Sequence, residues 1–268
     1  MDPSALTAVQ ALEQMQSGEL SSVELTTACI AQIEAIDPVV NAMVIRNDDA
    51  ALALASAADE ARSRGEAAGA LHGLPVAIKD LQDTADMRTT YGSPDFADHL
   101  PDADSGIVSR IKAAGGILIG KTNIPERSIG ANTVNPLFGA TGNPFDPTLT
   151  CGGSSGGSGV AVATNMAPLA TGSDHGGSVR IPACYSGVVG HRATPGMVPH
   201  ESRSMTQNFY SVQGPMARTV ADAALLLSVV ADRTTGTSPA DPMMFPYDAS
   251  AFRSLEPVDP ATLRIAVS

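Results

Sequence analysis

An α/β architecture is what this 268-residue sequence predicts, and three observations predict it. Two short apolar runs bounded by glycine and polar residues, Leu74 to Ile78 and Ile117 to Ile119, read as buried strands. Between them Ile107, Val108 and Ile111 recur at helical spacing, and alternation of helix with strand implies a sheet covered by helices. Hydrophobic residues make up 43% of the chain and charged residues 16%, which supplies a large core and is too apolar for intrinsic disorder.

Taken in order, residues 4–17 predict a short helix. Ser21 and Glu24 form an S-x-x-E capping box for a second helix, whose apolar face is Val23, Leu25, Ile30 and Ile33 and which Pro38 helps to end. A third helix is expected from Asn47 to Arg64, stopped near Gly65. Residues 1–66 thus read as a helical segment packing on a core of residues 67–268, the two making one structural domain. Lys79 sits where the first strand opens into a loop. Asp104 or Ser105 is placed to cap the next helix, and Gly115-Gly116 ends it before the second strand. From about Asn123 to Ser158 the chain is rich in Gly, Pro, Asn, Ser and Thr with almost no periodicity, and a loop this long inside a domain is usually functional. A helix is expected from about Gly157 to Thr164, then a glycine-rich segment from Thr171 to Ser178. A strongly apolar helix follows, capped by Thr219 with Asp222 and running through Val230. Leu263 to Ser268 reads as a strand just begun, so a C-terminally truncated chain is the expectation.

The net charge of −12, with no Lys/Arg cluster, argues against nucleic acid as a partner. No apolar run is long enough to span a bilayer, and the start lacks a basic region followed by an apolar one, so a cytoplasmic protein is expected. Cys29, Cys151 and Cys184 have neither a disulfide framework nor zinc-site spacing and are expected to be reduced thiols.

The stretch Gly152-Gly-Ser-Ser-Gly-Gly-Ser158 carries adjacent hydroxyls on a backbone open to unusual conformations. A flexible linker has this composition too, but a linker is not followed by an apolar helix such as Val160-Ala-Val-Ala163. In Gly172-Ser-Asp-His-Gly-Gly-Ser-Val-Arg180 consecutive backbone N–H groups can converge on a developing oxyanion, which places Ser178 like a nucleophile; alone, a Gly-Gly-Ser is more often an ordinary turn. Serine needs a base. His72, His99, His175, His191 and His200 are candidates, although no G-x-S-x-G elbow is present. Lys79 is the lysine candidate, because desolvation at the end of a buried strand lowers its pKa. Cys151 has no matched base nearby and reads as a packed residue. Gly115 to Thr122 fits the written P-loop pattern, but its middle residues are themselves the second strand, so Lys121 is expected to anchor a loop.

Leu74-Pro-Val-Ala-Ile-Lys-Asp80, Gly120-Lys-Thr-Asn123, Gly152 to Ser158, Asp174-His-Gly-Gly-Ser-Val-Arg180 and Gln213-Gly-Pro-Met-Ala-Arg-Thr219 together resemble the amidase signature family in order and spacing. The resemblance implies that family's fold, a central mixed β-sheet covered by α-helices on both faces. It also implies hydrolysis of a carboxamide through a Ser acyl-enzyme, with Lys79 as base, Ser154 as bridging serine in a cis peptide and Ser178 as nucleophile. His175, Gly176, Gly177 and Ser178 would form the oxyanion hole, and Ser155, Asp174 and Arg180 would support the site. No cofactor or metal is implied. The expected partner is a small-molecule amide, with no nucleic acid and no membrane, and a homodimer is left open. His175 departs from the small or hydroxyl residue common in the family and is expected to pack as a ring; Leu149, Cys151 and Gly190 to Thr194 depart as well. Two alternatives stand beside the amidase: a glutaminase like the A subunit of glutamyl-tRNA(Gln) amidotransferase, acting with a partner, and an inactive truncated fragment.

Overall fold

The computed structural model describes residues 2–67, 69–200, 209–231, 241, 243, 248–253, 255 and 258–264. Helix α1 (Ala8–Ser17) opens on a capping box between Thr7 and Gln10, after a separate 3-10 turn at Pro3–Ala5. Helix α2 (Ser22–Val40) opens on the expected Ser21–Glu24 box. It runs through Pro38 rather than stopping there, because proline's fixed φ is itself helical. Its end is set by Asn41 in the left-handed region (φ 55°) and by the Asp37 carboxylate, which accepts from the N–H groups of Ala42 and Met43 at 2.6 and 2.9 Å. Strand β1 (Met43–Arg46) follows, then α3 (Asp48–Ser63), so the N-terminal segment expected to be helical also supplies a strand.

The core continues with β2 (Pro75–Lys79), α4 (Gly106–Ala113), β3 (Ile117–Thr122), the small hairpin of β4 (Val134–Asn135) and β5 (Gly139–Ala140), and α5 (Gly156–Ala163). Then come β6 (Leu169–Asp174), α6 (Arg180–Ser186), β7 (Val189–Gly190), β8 (Val212–Ala217) and α7 (Val220–Val230), whose start Thr219 caps by accepting from the Asp222 N–H. Ser105 precedes α4, but neither it nor Asp104 caps it with a side-chain bond. The Ser105 hydroxyl donates to the Asp83 carbonyl and Asp104 accepts from the Ala85 N–H, so both fasten the neighbouring loop instead.

The sheet is mixed, in the order β1-β3-β2-β6-β8-β7. β2 runs parallel to both β3 and β6, while β1, β8 and β7 pair antiparallel with their neighbours. Helix α5 packs against β2, β3, β6 and β8, and α7 against β6, β7 and β8; α1 and α4 pack on α7, and α4 also on β3. Val76, Ile78, Ile119, Val160, Leu169 and Leu226 are fully buried between these layers. No helix among the described residues is long and apolar enough to cross a membrane. Of the strand expected at the end of the chain, Leu263 is extended after a 3-10 turn, and residues 265–268 lie outside the described residues.

One close approach positions everything that follows. A Cβ on Gly157 would lie 2.3 Å from the Asn123 backbone nitrogen, and the Gly157 N–H donates to the Asn123 carbonyl at 3.1 Å. Only glycine lets the first turn of α5 meet the backbone leaving β3, which draws the Gly/Ser loop onto the carboxyl edge of the sheet.

Candidate active site

Because β2 and β6 are parallel neighbours, their carboxyl ends open at one edge of the sheet. Lys79 ends β2 with no solvent exposure. Its Nζ donates to Ser154 Oγ at 2.7 Å and to Ser173 Oγ at 2.8 Å, while its backbone N–H donates to Thr171 Oγ1 at 3.0 Å. Burial of the ammonium, opposed only in part by the charge of Asp174, lowers the Lys79 pKa to about 7. An amine so placed is a competent general base near neutral pH.

Ser154 follows a cis peptide bond from Gly153 and is buried. Ser155 ties the two glycine-rich stretches together. Its N–H donates to the Ser178 carbonyl at 3.0 Å, and its hydroxyl donates to the Ser173 carbonyl at 3.3 Å and accepts from the Ser173 N–H at 3.2 Å. Ser178, half-buried in the turn between β6 and α6, shares with Ser128, Ser154 and Ser173 the wall of a cavity of about 820 Å³. No hydrogen bond joins the Ser154 and Ser178 hydroxyls among the described residues; Ser128 instead donates to Ser154 Oγ at 2.7 Å. No histidine hydrogen-bonds either serine among the described residues. His175 is exposed at the cavity, its ring 5.6 Å from that of Tyr210.

Asp174 organises the turn. Its carboxylate accepts from the N–H groups of Gly177 (2.8 Å) and Val179 (3.2 Å), from two nitrogens of Arg180 (3.0 Å each) and from Arg192 (3.0 Å). Burial alone would raise its pKa, but the hydrogen bonds from Arg180, Gly177 and Val179 and the Arg180 charge outweigh it and hold the carboxyl well below the usual range. Of the four expected oxyanion-hole donors, the Gly177 N–H is thus engaged by Asp174. Those of His175, Gly176 and Ser178 have no acceptor among the described residues.

Lys121 stands apart from this centre, buried, with Nζ donating to the Gln82 carbonyl and to Thr84 and Thr89 hydroxyls at 2.6 to 2.8 Å, the loop anchor expected of it. Cys151 is buried and desolvation pushes its thiol up to about 11, which leaves it packed and unreactive. Sequence reasoning missed Ser128, Thr171, Ser173 and Arg192. Thr171 and Ser173 alternate along β6 and so share a face, a period-two signal that Gly172 and Asp174 obscured.

A family model described as Amidase matches residues 24–268. The A subunit of glutamyl-tRNA(Gln) amidotransferase from Chloroflexus aurantiacus is 40% identical over 262 residues, covering 98% of this chain and 53% of the relative. Indoleacetamide hydrolase of Bradyrhizobium diazoefficiens is 39% identical over 264 residues, covering 96% and 50%. Among solved structures, a bacterial aryl acylamidase of the amidase signature family superposes with a TM-score of 0.83 at 33% identity, covering 90% of this chain and 50% of that one. Native peptide amidase from Stenotrophomonas maltophilia superposes with a TM-score of 0.81 at 35% identity, covering 92% and 52%. The chain spans about half the length of the relatives it matches.

Proposed function

The chain belongs to the amidase family, and from that premise we propose that it carries the centre for hydrolysis of a carboxamide C–N bond to carboxylate and ammonia or amine. The observation that carries the reading is Lys79, wholly buried, with Nζ 2.7 Å from Ser154 Oγ at a cavity that Ser178 also lines. In this reading Ser178 Oγ attacks the carbonyl carbon and gives its proton to Ser154 Oγ, which passes its own proton to Lys79 Nζ. The carbonyl oxygen takes the negative charge and is received by backbone N–H groups of His175, Gly176 and Ser178. As the C–N bond breaks, the relay returns a proton to the departing nitrogen, leaving an acyl ester on Ser178. Water then attacks the ester by the same relay, releasing the carboxylate and restoring Ser178. The Ser154 and Ser178 hydroxyls meet as substrate binds, since catalytic hydrogen bonds often tighten only in the complex.

A glutaminase working with a partner would use the same relay, and identities of 40% to a component of an amidotransferase and 39% to an amide hydrolase do not separate the two. A fluorophosphonate probe should label Ser178 in the protein, as mapped by mass spectrometry. Labelling should vanish in Ser178→Ala and slow by roughly 10³-fold or more in Lys79→Ala. Labelling of another residue, or an unchanged rate in Lys79→Ala, sinks the mechanism. Amide hydrolysis that appears only when a partner protein is added identifies the glutaminase reading, and labelling without hydrolysis identifies a fragment with an unfinished pocket.

A further inference from the structure

The loop leaving β3 returns to the site through a residue to which neither the sequence nor the relay gave a part. We propose that Ser128 is a positioning residue, whose hydroxyl fixes the orientation of the Ser154 hydroxyl and stabilises the negative charge that develops on its oxygen during proton transfer. The proposal rests on the Lys79–Ser154–Ser178 reading.

Ser128 Oγ donates to Ser154 Oγ at 2.7 Å, the same distance at which Lys79 Nζ meets that oxygen from another side. A hydroxyl has one proton and two lone pairs. With neutral Lys79 taking the proton and Ser128 occupying one lone pair, the second lone pair is the one left to accept from Ser178. The donor on its oxygen also makes the Ser154 proton more acidic, which favours handing it to Lys79. In the relay step the Ser178 O–H bond breaks as a new O–H bond forms on Ser154, and the old Ser154 O–H bond breaks as N–H forms on Lys79. Ser128 keeps its own proton throughout.

The backbone is built to hold this hydroxyl in place. Arg127 and Ser128 are both left-handed, at φ 52° and 61°, a conformation uncommon for residues with a side chain. The surroundings over-determine it. The Arg127 N–H donates to the Tyr91 carbonyl at 2.6 Å and the Ser128 N–H to the Pro125 carbonyl at 2.8 Å. Arg127 pairs with Asp95 at 2.8 Å and lies over the Phe96 ring, and Glu126 accepts from the Ser93 hydroxyl at 2.7 Å. Non-glycine residues held this way cluster at functional sites.

The alternative is a strap that merely closes the loop, and glycine separates the two. Ser128→Gly suits a positive φ and so keeps or raises the melting temperature while deleting the hydroxyl; Ser128→Ala deletes it with the backbone preference nearly unchanged. Wild type, Lys79→Ala, Ser128→Gly and Ser128→Ala are compared in the rate of Ser178 phosphonylation by a fluorophosphonate across pH 5.5 to 9. Where an amide is hydrolysed, kcat and KM are compared as well. Loss of a hydrogen bond to a charged oxygen is expected to slow both Ser128 variants by about 10- to 100-fold, with KM changed by less than about threefold. The midpoint of the alkaline rise should move to higher pH, although Asp174, the charge that acts on Lys79, is untouched. Wild-type rates and midpoint in both variants overturn the proposal. So does slowing confined to Ser128→Ala, which marks a backbone effect. If wild type itself fails to label at Ser178, or Lys79→Ala labels at the wild-type rate, the relay is wrong and the proposal falls with it, an outcome visible before either Ser128 variant is read.

Discussion

Raising the pH from 6 to 8 should switch this site on. In the proposed relay Lys79 works as a base only when neutral, and burial brings its pKa from 10.5 to about 7. At pH 7 about half of the sites then hold a neutral amine, against about one in 3,000 for a lysine of ordinary pKa. The neutral fraction is about one tenth at pH 6 and about nine tenths at pH 8, so kcat/KM, or the rate of Ser178 phosphonylation, should climb roughly tenfold between those values and then level off. An ordinary lysine would instead give a rate still rising tenfold per unit beyond pH 9. The same shift links to stability. Between pH 7 and 10.5 the unfolded chain binds a proton at Lys79 that the folded chain does not. The penalty on the folded state is therefore full below pH 7 and is relieved as pH rises, by up to about 1.4 kcal/mol per unit. In urea unfolding, wild type should gain about 2–3 kcal/mol on Lys79→Met from pH 7 to 9. A rate flat through pH 6 to 8, or a stability difference flat through pH 7 to 9, would refute the assignment of Lys79 as a desolvated base.

Two further outcomes test the frame around the site. Gly157→Ala drives a Cβ to 2.3 Å from the Asn123 backbone nitrogen and 2.7 Å from the Ala42 oxygen, neither of which is a flexible side-chain end. Thermal or urea unfolding should record a loss of about 3 kcal/mol or more together with slowed labelling of Ser178, and a neutral substitution would disprove the close contact. Iodoacetamide at pH 7 should modify exposed Cys184 in the native protein and leave Cys29 and Cys151, whose buried thiols are pushed up to about 12 and about 11. Peptide mapping that finds Cys151 alkylated first would show that the Gly/Ser loop is open rather than packed.

The elements that carried apolar periodicity or a capping signal were legible within a few residues: α2 from Ser21 and Glu24, α7 from Thr219, and β2 and β3 from runs too short and too apolar for anything but buried strands. What stayed hidden has tertiary causes. β6 reads Leu-Ala-Thr-Gly-Ser-Asp, a string with strong turn preference, and is a strand because β2 and β8 pair with it on both sides. β1 is four residues wedged between two helices and exists by pairing with β3. Ser154 and Ser178 lie in glycine-rich stretches and Lys79 at the end of an apolar run, and their order together with the other family motifs marks them as candidates. Ser128 lies in the long 123–158 loop, but nothing in that loop's composition picks it out, since its place depends on two consecutive left-handed residues and on contacts from the 91–96 segment. Arg192 reaches Asp174 only because β7 and β8 fold back alongside β6.

Strand order explains why these residues converge. A base in this centre must be dry enough to lose its proton near pH 7 and must still touch a hydroxyl that reaches solvent-borne substrate. β2 lies between β3 and β6 inside the sheet, so Lys79 is wrapped by chain on both sides before the strand ends. β6 runs parallel beside it and ends at Asp174, so the turn bearing Ser178 leaves the same edge. Neither strand supplies the bridge. It comes from the loop before α5, held down where Gly157 meets Asn123 and where the Ser155 N–H meets the Ser178 carbonyl. The carboxyl ends of adjacent parallel strands put the proposed relay in the crevice where open α/β sheets bind ligands. This placement also divides the demands: the sheet desolvates the amine while two glycine-rich turns carry the hydroxyls to the cavity. Deleting the Gly157–Asn123 approach should therefore slow Ser178 labelling, because that approach holds down the loop whose Ser154 hydroxyl meets Lys79.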